Sequence, residues 1–593
     1  MPRHIRSLAA AAVFIAIYVF WLHSHPEALS FREQYQMFLF SWDYLLEHLL
    51  IAGGMAEYIG EFLMQFCYYP AIGAALVTLP FLLLLVGISL TGSRMGGKGH
   101  YVLSLLPILL MLAYMGDENV KVTFLVSMTA SVLAALPYAG MEGAHCRVVT
   151  RLVVVPATYW LCGPGGAMVY TLVCLSADWR RGRWADGAWP VAYLAGLVTA
   201  SGFTLMSQYT PVDILFGQNY HNLRMSVPAM QFVVEAACAL TPVAIASLPS
   251  VRSRWAVWAE AGAVAAGGCA LIAFSFGSDK YDAIEFDYLV RREKWDRIIE
   301  KAETDGAKDP VSLTSLNLAL AMRGQLCDRM FEFSQMGTEG LLAPSRRNQF
   351  SSLPTAEALF RLGMVNEAQH YFFDLQESIL DCRKSGRLSK RVAETLIING
   401  KYEMARKYLS RLEETLFYSE WAKKAENALG NETAINAHPT WGRIRRLRYS
   451  QSFFGNYNEM DKMLGILFME NAENKMALDY YLAQCMLKRD LKQLWAGLGW
   501  IRQTYGDKPP RHVQEAVAMT WAQGHTSFDG VPLPLSREVT SDFTEFARLY
   551  SAGSSNPQLN TDKWRKTYWH YLLSAKPDAH TGATDSAIQE ATR

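Results

Sequence analysis

Three acids stand where chemistry beside a membrane would need them. Glu33 lies in the loop after the first apolar stretch, and Asp117 and Glu118 occupy the tight turn Met115-Gly116-Asp117-Glu118-Asn119 between the third and fourth. All three fall on the same side of the apolar stretches. A carboxylate placed there can accept the proton of a reacting hydroxyl, and paired acids can hold a divalent cation. The plainer alternative is that Glu33 favours the positive end of a helix and that Asp117 and Glu118 are turn residues.

Two further groups carry candidates. The loop 207–227 holds His221 and Arg224 among tyrosines and asparagines, residue types that can bind a sugar or a diphosphate or simply sit at headgroup depth. Glu235 lies several residues inside an apolar stretch, where an ionisable side chain costs ~2.5–3.5 kcal/mol and is a functional candidate by default. A protonated, hydrogen-bonded Glu235 is the alternative.

The elements that must position these residues follow from hydropathy. Nine apolar stretches, near 7–22, 69–90, 101–114, 122–136, 148–161, 166–175, 189–205, 230–248 and 255–276, read as membrane spans. Lys and Arg number eleven in the loops on one side and three on the other, which predicts a cytoplasmic N-terminus. An odd number of spans then puts the C-terminal half outside. Phe31, Tyr35, Phe38, Trp42, Leu45 and Leu49 at helical spacing predict one amphipathic helix over 31–52, lying in the interface. The polypeptide is expected to divide into a transmembrane domain, 1–277, a helical domain outside the membrane, 278–575, and a disordered tail, 576–593.

The second half reads as helices throughout, and it nearly repeats. Leu316 to Leu320 leads to Gly324, Ala356 to Phe360 to Gly363, and Ala393 to Ile397 to Gly400, with Ala368 and Ala405 each five residues past a glycine. This resembles tetratricopeptide-like helix pairs. The fold class expected is therefore all-α: a polytopic helical membrane domain followed by a soluble tetratricopeptide-like repeat domain. Its first helices are expected to cover the loop that holds Glu33.

A net charge of +1 over 593 residues gives no case for nucleic acid. Nine cysteines without a C-x-x-C pair define neither a zinc site nor a disulfide framework. No P-loop, nucleophile elbow, H-E-x-x-H or dinucleotide fingerprint occurs, which argues against ATPase, hydrolase and redox classes.

The placement of Glu33, Asp117 and Glu118 resembles that of GT-C-type glycosyltransferases, membrane enzymes that use lipid-linked sugar donors. The resemblance implies Glu33 as catalytic base, Asp117 and Glu118 as ligands of Mg or Mn or of the substrate, and a polyprenyl-linked sugar as partner. As a whole the chain also looks like a family of uncharacterised bacterial multi-span proteins, through Glu33-Gln34-Tyr35-Gln36, Gly53-Gly54, Gln65-Phe66, Asn317-Leu318-Ala319-Leu320 and Ala405-Arg406-Lys407-Tyr408-Leu409. Two functions are expected from these readings. One is a transferase of lipid-linked sugars at the periplasmic face of a bacterial inner membrane. The other is a non-catalytic envelope scaffold whose repeats bind a protein or peptide.

Overall fold

The computed structural model describes residues 3–97, 99–203, 211–217, 219–221, 228–249, 254–277, 279–345, 351–380, 383–449, 457–553 and 557–574. Arg224 and the tail 576–593 lie outside the described residues. The described chain is helical, with one isolated antiparallel bridge between Val120 and Tyr220.

Two compact units form. Unit 1 comprises 1–281 together with two strips from far along the chain, 379–387 and 410–423; unit 2 is the remainder. The expected boundary near 278 is close to the first break, but both strips fall inside the stretch read as a separate helical domain.

In unit 1 the helices are α1 (Arg3–Val19), α2 (Pro26–Glu33), α3 (Trp42–Leu49), α4 (Gly54–Gln65), α5 (Pro70–Arg94), α6 (Leu105–Tyr114), α7 (Val122–Ala139), α8 (Ala144–Arg180), α9 (Trp184–Phe203), α10 (Pro211–Phe216), α11 (Ala229–Ser247) and α12 (Arg254–Phe276). Among the described residues, six helices are long and apolar enough to cross a membrane: Arg6–Ser24, Pro70–Arg94, Val122–Ala139, Ala144–Arg180, Ala229–Ser247 and Trp255–Phe276.

Helix α8 merges the stretches expected at 148–161 and 166–175, and it is not straight. Arg151 and Asp178 would stand about 40 Å apart along a continuous helix, at ~1.5 Å per residue, yet they form an ion pair. Tyr138 donates to the same carboxylate at 2.7 Å. The chain therefore doubles back, at Gly163 (φ 81°, ψ 176°), and the halves run antiparallel.

The tip of this hairpin is held by main-chain contacts. Gly53 N donates to Trp160 O at 2.7 Å, Trp160 Nε1 to Leu49 O at 2.9 Å, and Ser127 Oγ to Cys162 O at 2.5 Å. Gly53 is itself left-handed (φ 83°), and a Cβ on it would stand 3.0 Å from Gly163 Cα.

The single helix expected over 31–52 is replaced by two, α2 and α3, with 34–41 between them. The cause is tertiary. Met37 N donates to Lys384 O at 3.1 Å and Phe40 N to Glu414 O at 2.7 Å, so the two strips take up amides that a helix would have used. Ser41 then caps α3, accepting from Tyr44 N.

Polar groups separate to the two ends of unit 1. At one end Arg6 stacks on Tyr101, Arg94 bonds Leu136 O, Arg147 and Arg151 meet Asp178, and Arg181 bonds Ala139 O. The other end holds Arg32, Lys121 and the hairpin tip.

Unit 2 is built of helix pairs. The glycines of the near-repeat all take positive φ, 68° at Gly324, 90° at Gly363 and 70° at Gly400, so each closes a helix by a left-handed turn. Ala368 and Ala405 are fully buried, as small residues at close helix contacts must be. Two arginines of the sequence 441–448 have a structural role: Arg445 Nε and Arg448 Nη1 bond Ile398 O at 3.1 and 2.6 Å, satisfying the carbonyl end of Gly386–Ile398.

The hairpin tip yields a test. Gly53→Ala should destabilise the detergent-purified protein by roughly 2 kcal/mol, through left-handed strain and the contact with Gly163. Gly196→Ala, in α9 with open space around it, should be neutral or slightly stabilising. Thermal unfolding compares the two, and equal midpoints would show that the tip does not need its glycine.

Candidate functional site

The polar end of unit 1 is organised by α4. Glu57 and Glu61, four residues apart, share one face of this helix, and both side chains are about 2% exposed. Burying two carboxylates is tolerable only with cations at hand. Lys121 Nζ lies 3.3 Å from Glu57, Arg383 places one nitrogen 2.6 Å from Glu57 and another 3.3 Å from Glu61, and His48 Nε2 lies 3.2 Å from Glu61. Tyr44 donates its hydroxyl to Glu61.

Three separate elements position these partners. The bridge that pairs Lys121 N with Asn219 O at 3.1 Å fixes Lys121 at the start of α7. His48 and Tyr44 lie one turn apart on α3, with His48 Nδ1 2.7 Å from Tyr44 O. Arg383 comes from the strip 379–387. In the same strip Arg387 donates to Gln34 Oε1 at 2.9 Å.

Burial alone would push the Glu57 carboxyl up, but Arg383 and Lys121, with His48 behind them, pull it down to about 2. For His48 burial works downward and is outweighed by the bond to Glu61 and its charge, so the imidazole is raised above its ordinary 6.5. The Tyr44 hydroxyl is pushed far up by burial and by Glu61.

The structure places the sequence-predicted residues on separate sets of partners. Glu33, buried at the end of α2, accepts from Tyr418 Oη at 3.3 Å. Asp117 accepts from Asn119 N at 3.0 Å, Asn119 Nδ2 at 3.1 Å and Tyr220 Oη at 2.7 Å, and Glu118 pairs with Lys280 at 2.9 Å. Between them Arg32 wraps the turn, donating to Met115 O, to Asp117 O at 2.8 Å and to Val120 O at 3.4 Å.

His221 is buried, its N bonds Asn119 O at 2.8 Å, and its ring meets Tyr35 edge-on at 6.4 Å. Glu235 accepts from Gln231 Nε2 at 3.2 Å and packs so closely on the hairpin that a Cβ on Gly165 would run into it. His221 thus joins the Asp117 turn through its main chain.

Asp117 is thus engaged by its own turn and by Tyr220, and Glu118 by Lys280. Among the described residues no group of three His, Cys, Asp or Glu side chains gathers as a metal site would require.

Around Glu33 there is instead a small cavity of about 20 Å³, lined by Gln36, Phe38, Gln65, Phe417 and Tyr418. Gln36 Oε1 and both amide atoms of Gln65 are buried and make no hydrogen bond among the described residues. Residues from the strips 379–387 and 410–423 close over Glu33 within unit 1.

Glu57, Glu61, Lys121, Arg383 and Tyr418 were not among the sequence candidates. The two glutamates carried a signal, a pair of acids at i and i+4 within the apolar run Met55–Met64. Arg383 and Tyr418 carried none, because only the fold brings them 326 and 385 residues back along the chain.

Two outcomes are expected of the ion cluster. Arg383→Met should cost about 3–5 kcal/mol by leaving Glu57 and Glu61 undercompensated, whereas adding Glu57→Gln and Glu61→Gln should recover most of the loss. Denaturant unfolding in detergent measures both, and a triple variant as unstable as the single one would assign Arg383 a packing role.

The pH dependence has a definite sign. His48, raised when folded, contributes stability that is fully present below 6.5 and lost as pH rises through its folded value; Glu57, depressed, contributes above 4.5 and loses that as pH falls toward about 2. The unfolding midpoint should therefore drop between pH 6 and 9 in the native protein and drop less in His48→Gln.

No curated protein and no solved structure matches this chain. A family match does, and it spans both units. Over residues 3–575 the sequence fits the family of unknown function DUF6057, and the chain belongs to that family.

Proposed function

We propose that this is an integral protein of a bacterial inner membrane that acts as a non-catalytic docking platform, its helical half outside the membrane binding an envelope protein or peptide. The observation that carries the reading is the polar end of unit 1. Glu57, Glu61, Asp117, Glu118, Lys121 and Arg383 are matched to one another or to neighbours in the same chain; Glu57 and Glu61 tie down the strip 379–387 through Arg383, and Phe40 and Glu33 tie down 410–423 through Glu414 and Tyr418.

The orientation rests on charge. The end with Arg6, Arg94, Arg147, Arg151 and Arg181 is the cytoplasmic end by the positive-inside rule. Counting the α8 hairpin as two passages, and adding Tyr101–Tyr114 and α9 to the other candidates, gives nine. The tetratricopeptide-like reading of unit 2 is supported by its helix pairs and by the left-handed glycines that close them.

A second reading is favoured by one observation, the cavity where Glu33 meets the unbonded amides of Gln36 and Gln65. In it Glu33 takes the proton of an acceptor hydroxyl that attacks a polyprenyl-linked sugar, and the polyprenyl phosphate leaves.

Three measurements test these readings. Alkaline phosphatase fused after residue 593 should be active and a fluorescent protein at the same place dark; the reverse pattern would overturn the orientation. Photo-crosslinkers in unit 2 of the full chain, in cells, should give discrete protein adducts. If the protein in nanodiscs instead releases polyprenyl phosphate from a lipid-linked sugar, and Glu33→Gln folds but does not, the transferase reading replaces the docking one.

A further inference from the structure

Unit 2 contains a much larger hollow, about 430 Å³, between 331–335 and 562–571. That volume lies in the range of sites that hold small ligands or chain ends. Its first wall begins at the short helical turn Met330–Glu332, after which Phe333 is extended (φ −111°, ψ 149°) and Ser334 to Met336 belong to no helix. This stretch is pinned through a side chain. Gln335 Nε2 donates to Met330 O at 2.6 Å and Gln335 Oε1 accepts from Asn317 Nδ2 at 3.1 Å. The main-chain amides of Ser334 and Gln335 donate to nothing among the described residues.

The second wall is charged. Trp564 and Trp569 turn into the core of unit 2, and their neighbours Arg565, Lys566, His570 and Tyr571 line the hollow. Glu332 is engaged by Arg329 at 2.8 Å, and Arg329 also reaches Glu303 at 2.7 Å. Arg565 and Lys566 are exposed and have no acidic partner among the described residues; Asp562, exposed at the lip, is the one carboxylate left to oppose them. Burial, and then Arg565, lower the pKa of His570, so the positive charge comes from the other two side chains.

Two of the lining side chains are aromatic and lie together, the Phe331 ring 4.9 Å from that of Tyr571.

Unpaired main-chain donors on one wall, two cations on the other and a pair of aromatic rings in the lining are the elements by which a peptide terminus is captured: added along an exposed edge, anchored by its last side chain, and fixed by its carboxylate. We propose that this hollow binds the C-terminal end of an extended peptide from a protein partner, with Arg565 and Lys566 holding the carboxylate and Phe331 and Tyr571 taking the final apolar side chain. The proposal rests on the docking reading and gives the partner's chemistry.

The test uses the full chain in nanodiscs and calorimetry with acetylated Ala-Leu-Phe, as free acid and as amide. The acid should bind at least tenfold more tightly, and Arg565→Gln with Lys566→Gln should abolish the difference while leaving the unfolding midpoint unchanged. Asp562→Asn, which removes the opposing charge, should tighten binding of the acid. Equal binding of acid and amide, no binding of either at millimolar concentration, or a preference that survives the double variant overturns the proposal. Inorganic phosphate displacing the acid with equal affinity also overturns it, by showing that the site reads a bare anion. If these fail while photo-crosslinks still form elsewhere on unit 2, the docking reading stands and this site falls; loss of both removes the reading itself.

Discussion

Two carboxylates on the buried face of α4 set the terms for one end of this molecule. A buried ionised group carries a desolvation cost of several kcal/mol, which only close and well-aligned partners offset. Glu57 and Glu61 therefore fix where Lys121, His48, Tyr44 and Arg383 must stand. Each of these in turn constrains its own element. Lys121 requires the pairing of 119–121 with 219–221, His48 and Tyr44 require α3 to start just after its cap Ser41, and Arg383 requires the strip 379–387 to lie against the first loop.

The same layer explains what could be read from the sequence and what could not. Apolar runs gave most of the long helices, because length and hydropathy are local properties. The glycines at 324, 363 and 400 marked helix ends correctly because a left-handed turn is a local demand on the backbone. The amphipathic pattern over 31–52 misled, since main-chain bonds from Met37 and Phe40 to distant strips outweigh helical periodicity there. The paired stretches that form α8 were visible as hydropathy, but their reversal rests on Gly163 meeting Gly53 and on Arg151 meeting Asp178, neither of which a single sequence displays.

For the candidate site the outcome differs residue by residue. Asp117 was identifiable as an acid in a tight turn, and its bonds to Asn119 and Tyr220 express that chemistry. Glu33 was identifiable as an acid beside an apolar helix, but its partner Tyr418 lies 385 residues away. His221 was one of several polar residues in a loop, and what distinguishes it is burial beside Tyr35, a property of packing alone. Composition marks a polar loop as interesting, whereas distance in the fold decides which of its members meet.

That unit 1 is discontinuous in sequence has a consequence for how the protein is made. Glu57 leaves the ribosome 326 residues before Arg383, an interval of roughly 15–65 s at ~5–20 residues per second. Throughout it the first helices carry two acids that still lack Arg383, and the amides of Met37 and Phe40 lack their partners. A chain that stops before residue 379 thus leaves the acids of α4 and the main chain of 34–41 open where the finished chain covers them. Completion of synthesis is thereby recorded in unit 1 itself.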